Sequence, residues 1–419
     1  RFYSKAGIGA DLALRVYTTR LLGGDPRLVL HGGGNTSVKT RMADITGDEI
    51  DVLCVKGSGW DMGDIEPPGL PAVRLEAIRR LRALKALSDE EMVNAQRGAL
   101  MDSTAPNPSV ETLLHAFLPH KFVDHTHADA VLSVTDQPDG AKIGHDIWGT
   151  RAALVPYIMP GFDLAQTCAD ASEKNPDVEG LILLRHGIFS FGESAREAYE
   201  RMIALVTLAE KRLARAKPVA VGKSIAARPR RIARAAEIAP VLRGLATDGG
   251  RPMVMDFRTS RGILDYLARP DLRRFASTGP VTPDHVIRTK PKPLILAAPE
   301  AGKPDAFRAD AEKALGKYAS DYVGYFTRNN RRVGGMKKQL DPVPRVILVE
   351  GVGIFGLGAS NGAAAIAADL AETTMRVIGD AERFGKFRSI SEADIFDMEY
   401  WSLEQAKLLR DIALDLHAH

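Results

Sequence analysis

Between about Asp11 and Arg215, short apolar runs alternate with longer stretches in which apolar side chains return every three or four residues. That is the mark of strands alternating with amphipathic helices. LALRVYTTRLL (12–22) and VRLEAIRRLRAL (73–84) have helical spacing, whereas LVLHGGGN (28–35) and VLCVKGSG (52–59) read as strands that end in glycine turns. FVDHTH (122–127) is a further strand, and LILLRHGIFSFG is apolar from Leu181 to Leu184 before it turns at Gly187, leaving His186 at a strand end. From Ser194 to Ala216, Ala195, Tyr199, Met202, Ile203, Val206 and Leu213 recur at helical spacing and predict a helix packed on the strand that delivers His186.

The pattern then breaks. KPVAVGKSIAARPRRIARAAEIAP is polar, basic and interrupted by prolines, which predicts a linker over 217–250 between a first domain, 1–216, and a second, 251–419, with a helical tail. The second domain contains PRVILVEGVGIFGLG followed by an Ala-rich helix, with Gly351, Gly353 and Gly356 in the GxGxxG spacing of a dinucleotide-binding turn. The same stretch also aligns with the first domain: GIFSFGESAREA from Gly187 with GIFGLGASNGAA from Gly353, so that His186 falls opposite Val352. A second match sets Asp124-His125-Thr126-His127 against Asp284-His285-Val286-Ile287. Two matches in one order favour a degenerate repeat over a nucleotide fold. Glu372 has the spacing of a ribose-binding acid but falls inside a helical pattern.

Composition narrows the class. The 419 residues are 45% hydrophobic and 26% charged, with a formal net charge of +3. These values describe an ordinary globular protein and lack the basic, aromatic-studded stripe of a nucleic-acid binder. Cys54 and Cys168 are the only cysteines, so no disulfide framework exists. No apolar run approaches the ~20 residues that span a bilayer, and no signal pattern opens the chain, so a cytoplasmic protein without membrane partners is expected.

The chemistry is concentrated in PSVETLLHAFLPHKFVDHTHADA (108–130). Alternation along a strand projects His125 and His127 to one side, close enough to share a metal ion. Catalytic zinc takes three protein ligands and an open position, and His186 is the third candidate. Glu111 stands fourteen residues before His125. HGGGNTS (31–37) and KGSG (56–59) are glycine turns suited to phosphate.

Taken in order, GGGNTS, KGSG, PSVE, DHTHADA, VPYIMPG and LRHG resemble the class II aldolase/adducin family over roughly residues 10 to 215. The resemblance implies an α/β/α sandwich around a mainly antiparallel sheet. It implies zinc on His125, His127 and His186, Glu111 as acid/base, and Tyr157 as a second proton carrier contributed by a neighbouring subunit of a homo-oligomer. Asn35, Ser58, Gly59 and Ser109 match the family's phosphate-binding turns. Where fuculose-type members read Ser-Ser-Glu, this chain reads Ser109-Val110-Glu111, so Lys39 or Lys56 is expected to replace the lost donor. His31, His115, His120, His145 and His285 are expected to be structural.

The whole chain looks most like the aldolase portion of bacterial rhamnulose-1-phosphate aldolase fusions that continue into a short-chain dehydrogenase. With the chain ending at His419, that dehydrogenase is expected to be absent. The implied activity is retro-aldol cleavage of a sugar phosphate, a ketose 1-phosphate. The alternatives are epimerisation or dehydration on the same metal scaffold, or NAD-dependent oxidoreduction at Gly351–Gly356.

Overall fold

The structure, a computed structural model, describes residues 9–216, 229–248 and 250–405. The chain divides at Ala216/Lys217 into two compact units.

The first unit opens with α1 (Ala10–Gly23). LVLHGGG, expected as a strand, is a string of turns: Leu28 and Val29 N–H both donate to the Asp25 carbonyl, and Gly33 N–H donates to that of Leu30. Pro26 and three successive glycines suit reversal better than pairing. Strands β1 (Asn35–Ala43), β2 (Glu49–Val55) and β3 (Ala72–Arg74) follow, then helices α2 (Leu75–Arg79), α3 (Asp89–Gly98) and α4 (Thr112–Phe117). After β4 (Phe122–Thr126) come α5 (Asp129–Thr135), α6 (Gly140–Trp148), β5 (Ala152–Val155), α7 (Phe162–Lys174), β6 (Gly180–Leu183), β7 (Gly187–Gly192) and α8 (Ala195–Ala214).

The strands form one sheet in the order β3-β2-β1-β4-β7-β6-β5, antiparallel throughout except for β5 beside β6. Central β4 and β7 are buried along their whole length, as strands covered on both faces must be. On one face Asp124 pairs with Arg15 of α1, and Thr126 Oγ1 donates to Met202 Sδ of α8. On the other, His125 stacks on its cross-strand partner Phe189 at 4.0 Å. The fold is therefore the expected three-layer α/β/α sandwich.

Arg15 and Asp124 are both fully buried, 2.5 Å apart, and the guanidinium also donates to the Ser37 carbonyl and to the hydroxyls of Thr18 and Thr19. Removing one partner of a buried pair strands the other charge. Asp124→Ala should therefore lower stability by about 3–5 kcal/mol, read as a fall in the urea midpoint; a midpoint within about 0.5 kcal/mol of wild type would show that Arg15 finds another partner.

The second unit contains α9 (Ala235–Leu245), β8 (Val254–Arg258), α10 (Arg261–Leu267), β9 (Leu294–Leu296), α11 (Pro304–Arg332), β10 (Val346–Val349), β11 (Gly353–Gly358), α12 (Asn361–Ala381) and α13 (Glu392–Glu399). Of the segment 217–250, expected as a linker, residues 217–228 and 249 lie outside the described residues. The remainder is packed structure: Ile238, Val241 and Leu242 of α9 join Ile347, Val349, Phe355 and Leu357 in one core. Of the expected helical tail, α13 is present and 406–419 lie outside the described residues.

The repeat is real, and its register corrects one correspondence. The order β8-β11-β10-β9, with only β9/β10 parallel, repeats β4-β7-β6-β5. In each copy a helix follows, capped by a serine hydroxyl, Ser194 or Ser360. Asp124, His125 and Thr126 pair with Ser190, Phe189 and Ile188, while Asp256, Phe257 and Arg258 pair with Gly356, Phe355 and Ile354. The counterpart of DHTH is thus Asp256-Phe257-Arg258-Thr259. Asp284 and His285 lie in a single 3-10 turn outside the sheet, so their four-residue match is coincidental.

The glycine motif is accounted for by the same repeat. β10 and β11 form an antiparallel hairpin, whereas a dinucleotide turn joins a strand to a helix. Gly351 supplies a left-handed φ of 73° at the turn. A Cβ on Gly353 would lie 2.3 Å from the Arg258 carbonyl, and one on Gly356 would lie 2.4 Å from that of Ala364. Glu372 lies 3.7 Å from Arg258 in an ion pair. Among the described residues no helix is long and apolar enough to cross a membrane.

Candidate metal centre and proton-transfer site

Strand directions gather the predicted residues at one end of the first sheet. Asn35 begins β1 opposite His125 near the end of antiparallel β4, and the KGSG turn follows the adjacent end of β2. β5 and β6 run parallel, so the loop carrying Tyr157 leaves the sheet at the same end as the β6–β7 turn carrying His186.

His125, His127 and His186 are buried with their ligand nitrogens within 4.8 Å of one another. His125 Nδ1 is 3.0 Å from the Ile188 carbonyl, so this nitrogen carries the proton and Nε2 keeps its lone pair. That Nε2 lies 3.0 Å from His127 Nε2. Two nitrogens of a tetrahedral zinc site stand about 3.3 Å apart given ~2.05 Å bonds, so the pair fits an ion with little adjustment. His186 occupies a tight turn: its N–H donates to the Leu183 carbonyl and Arg185 before it has a φ of 60°. Gly187 lets the rings converge, since a Cβ there would lie 2.5 Å from the Thr126 carbonyl and 3.0 and 3.1 Å from atoms of His127 and His125. The donor set and this cradle suit a divalent transition ion.

The Glu111 carboxylate is suspended over the histidines, Oε1 3.4 Å from His186 Nε2 and Oε2 3.5 Å from His125 Nε2. Oε2 also accepts a 2.6 Å bond from Asn35 Nδ2, which bonds the Ser109 hydroxyl at 3.0 Å as well. Gly57 pairs with Pro108, Ser58 N–H donates to the Asn107 carbonyl and Ser109 N–H to that of Lys56, so the KGSG turn and the PSVE segment form one unit. Gly59, in the same turn, has a left-handed φ of 82°. Tyr157 is half-buried in its loop.

Both lysine ammonium groups are bonded to backbone carbonyls. Lys56 Nζ donates to the carbonyls of Gly32 and Trp60, tying the two glycine turns together. Lys39 Nζ donates to the carbonyls of His115 and His120, where a cation complements the C-terminal end of α4. Burial, with the Arg79 charge assisting and that of Glu193 opposing, lowers Lys39 from 10.5 to about 7. Between these values the unfolded chain binds more protons, so this residue's contribution to stability grows as pH rises, at up to about 1.4 kcal/mol per unit. Lys39→Met should therefore show a smaller gain in urea midpoint from about pH 7 to 9 than wild type; equal gains would mean that Lys39 keeps its proton across that range. Burial pushes the Cys54 thiol up to about 12 and that of Cys168 higher still, so neither is a nucleophile.

His115, expected to be structural, belongs to the site. Its ring joins the Asn35 side-chain oxygen through Nε2 and the Ser37 hydroxyl, at 2.7 Å, through Nδ1. The available signal was spacing: His115 stands one helical turn after Glu111, and Ser37 shares the Asn35 face of β1.

Residues 14–213 match the Class II Aldolase and Adducin N-terminal domain, and residues 233–408 match Aldolase class II, second domain. The chain therefore carries both domains of the class II aldolase family, in that order. It is 34% identical over 399 residues to the uncharacterized oxidoreductase YuxG of Bacillus subtilis (strain 168), a match covering 94% of this chain and 57% of that protein. It thus spans little more than half of that relative's length. Over 117 residues it is 31% identical to the methylthioribulose-1-phosphate dehydratase of Sulfurihydrogenibium sp. (strain YO3AOP1), covering 24% of this chain and 54% of the other. Among solved structures, the N-terminal class II aldolase domain of a conserved Thermoplasma acidophilum protein is 41% identical with a TM-score of 0.47, covering 49% of this chain and 95% of that one. The L-fuculose-1-phosphate aldolase of Thermus thermophilus is 19% identical with a TM-score of 0.32, covering 48% of this chain and 95% of that one.

Proposed function

We propose that this chain is a zinc-dependent aldehyde-lyase that cleaves a ketose 1-phosphate, L-rhamnulose 1-phosphate first among candidates, to dihydroxyacetone phosphate and L-lactaldehyde. The observation that carries the reading is the Glu111 carboxylate held 3.4 and 3.5 Å from two of three converging imidazole nitrogens. His125, His127 and His186 would hold a divalent ion, which when bound would supply Lewis-acid stabilisation of the negative charge that develops when the carbon–carbon bond breaks. Glu111 returns a proton to the carbon that loses its partner, and Asn35 steadies the carboxylate. Tyr157 of a neighbouring subunit takes the proton of the hydroxyl that becomes the aldehyde, which makes the enzyme a homo-oligomer. Ser58, Gly59 and Ser109, with Asn35, bind the phosphate. The choice of sugar rests on the resemblance to rhamnulose-phosphate aldolases.

Dehydration is the second reading, favoured by the dehydratase relative, because the same base and ligands can remove a proton beside a carbonyl. Oxidoreduction at Gly351–Gly356 has no support from the hairpin geometry. A panel of ketose 1-phosphates with a coupled assay for dihydroxyacetone phosphate tests the proposal. Triose release upholds it, and consumption of substrate without triose replaces it with dehydration or epimerisation.

A further inference from the structure

We propose that His115, keyed by Ser37, is a positioning residue: it locks the Asn35 amide with its nitrogen toward Glu111 and so aims the carboxylate at the histidine cluster. The inference rests on Glu111 as the proton carrier of the proposed function.

An asparagine amide is nearly symmetric in shape, and its hydrogen-bond partners decide which end is which. Here every direction follows from the Asn35 amide nitrogen, which donates to Glu111 Oε2, 2.6 Å away, and to the Ser109 hydroxyl, 3.0 Å away. The other end of the amide is then an acceptor and needs a donor, which His115 Nε2 supplies. A neutral imidazole with its proton on Nε2 has a lone pair on Nδ1, and the Ser37 hydroxyl 2.7 Å away donates to it. His115 is fully buried, and that burial above all pushes its pKa well below the ordinary histidine value and holds it neutral. The chain therefore has one polarity, from Ser37 through His115 and Asn35 to Glu111. A flipped amide would set its oxygen against the carboxylate, and Oε1 would no longer be held 3.4 Å from His186 Nε2. Packing alone gives no such requirement, because an edge-on contact with Phe189 at 5.6 Å could be filled by leucine.

The experiment compares His115→Leu, His115→Gln and Ser37→Ala in the full-length, zinc-loaded protein. Leucine removes the donor, whereas glutamine can return an N–H near the place of Nε2. His115→Leu should lower kcat about 30-fold with KM changed less than about 3-fold and zinc stoichiometry unchanged, while His115→Gln should recover to within about 5-fold of wild type. Equal losses in the two variants, or loss of zinc from the leucine variant, would overturn the proposal. Should His115→Leu fail to fold, Ser37→Ala decides: a kcat about 5-fold lower with unchanged KM supports the relay, and unchanged kcat removes it. Nitrogen-15 NMR of histidine-labelled protein reads the relay without turnover. The His115 ring should stay neutral and protonated on Nε2 from about pH 6 to 8. A ring protonated on Nδ1 in wild type would overturn the proposal. If wild type releases no triose from any ketose phosphate, the proposed function fails while the tautomer still decides this inference.

Discussion

Replacing His127 by alanine should strip the metal ion and the activity together. His127 stands just beyond β4, buried, with Nε2 3.0 Å from that of His125. Its removal leaves two imidazoles, one fewer than the protein ligands normally found at a catalytic zinc centre. Even partners that only orient zinc ligands cost about 10–100-fold in affinity when lost, so deleting a ligand should cost at least about 100-fold. The alternative is that the three rings meet because they pack, His125 on Phe189 and His127 edge-on to His125. Packing predicts that the alanine variant loses some stability and keeps its metal. Inductively coupled plasma analysis after dialysis against zinc-buffered medium separates the two, since a stoichiometric ion in His127→Ala would remove this residue from the ligand set. Turnover should fall in parallel with occupancy and should not return on adding zinc at micromolar concentration.

The residues that could be read from the chain are those whose neighbours fix their direction locally. Strand alternation sufficed for His125 and His127, and the Gly187 turn for His186, because backbone period alone aims those side chains. Asn35, Ser109 and Glu111 could be named by motif, but not their contacts with one another, which arise only when β1 meets the segment before α4. His115 is not legible for the same reason: an isolated histidine on an apolar helix has no visible partner until Ser37 and Asn35 arrive from 78 and 80 residues away. The charge of Lys39 and Lys56 suggests an anion, whereas the fold sets buried backbone carbonyls against both ammonium groups. The match of His125 to His285 failed because identity over two letters carries no register, and the ladder of β8 on β11 does. The helix at Ala235–Leu245 was hidden by its basic flank and by Pro240, although Ile238, Val241 and Leu242 already had helical spacing.

The corrected register makes the division of labour between the copies specific. Where the first unit has His125, His127 and His186, the second has Phe257, Thr259 and Val352. Phe257 packs on Phe355 at 4.9 Å much as His125 lies on Phe189, so the ring-on-ring contact survives without the ligand nitrogen. Gly187 and Gly353 make the same close approach to the neighbouring strand, to Thr126 and Arg258. The tight turn and its glycine therefore belong to the architecture, and the three imidazoles are what the first unit adds to it.

Glu111→Gln should leave the metal in place and remove most of the turnover. Glutamine has nearly the same shape, and its side-chain oxygen can still accept the Asn35 Nδ2 bond that Glu111 Oε2 now receives at 2.6 Å. What it lacks is a transferable proton and a negative charge. General acid–base catalysis is worth about 10²–10⁴-fold, so kcat should fall by that factor while zinc stoichiometry and KM stay close to wild type. The contrast with His127→Ala is what assigns the roles, because one change empties the site and the other silences a filled one. If Glu111→Gln also empties the site, the carboxylate is a ligand, and its 3.4 and 3.5 Å distances to His186 and His125 reflect a shared ion rather than proton transfer. If it keeps both zinc and a kcat within about 10-fold of wild type, Glu111 is not the proton carrier, and the Ser37–His115–Asn35 relay loses the group that it is proposed to aim.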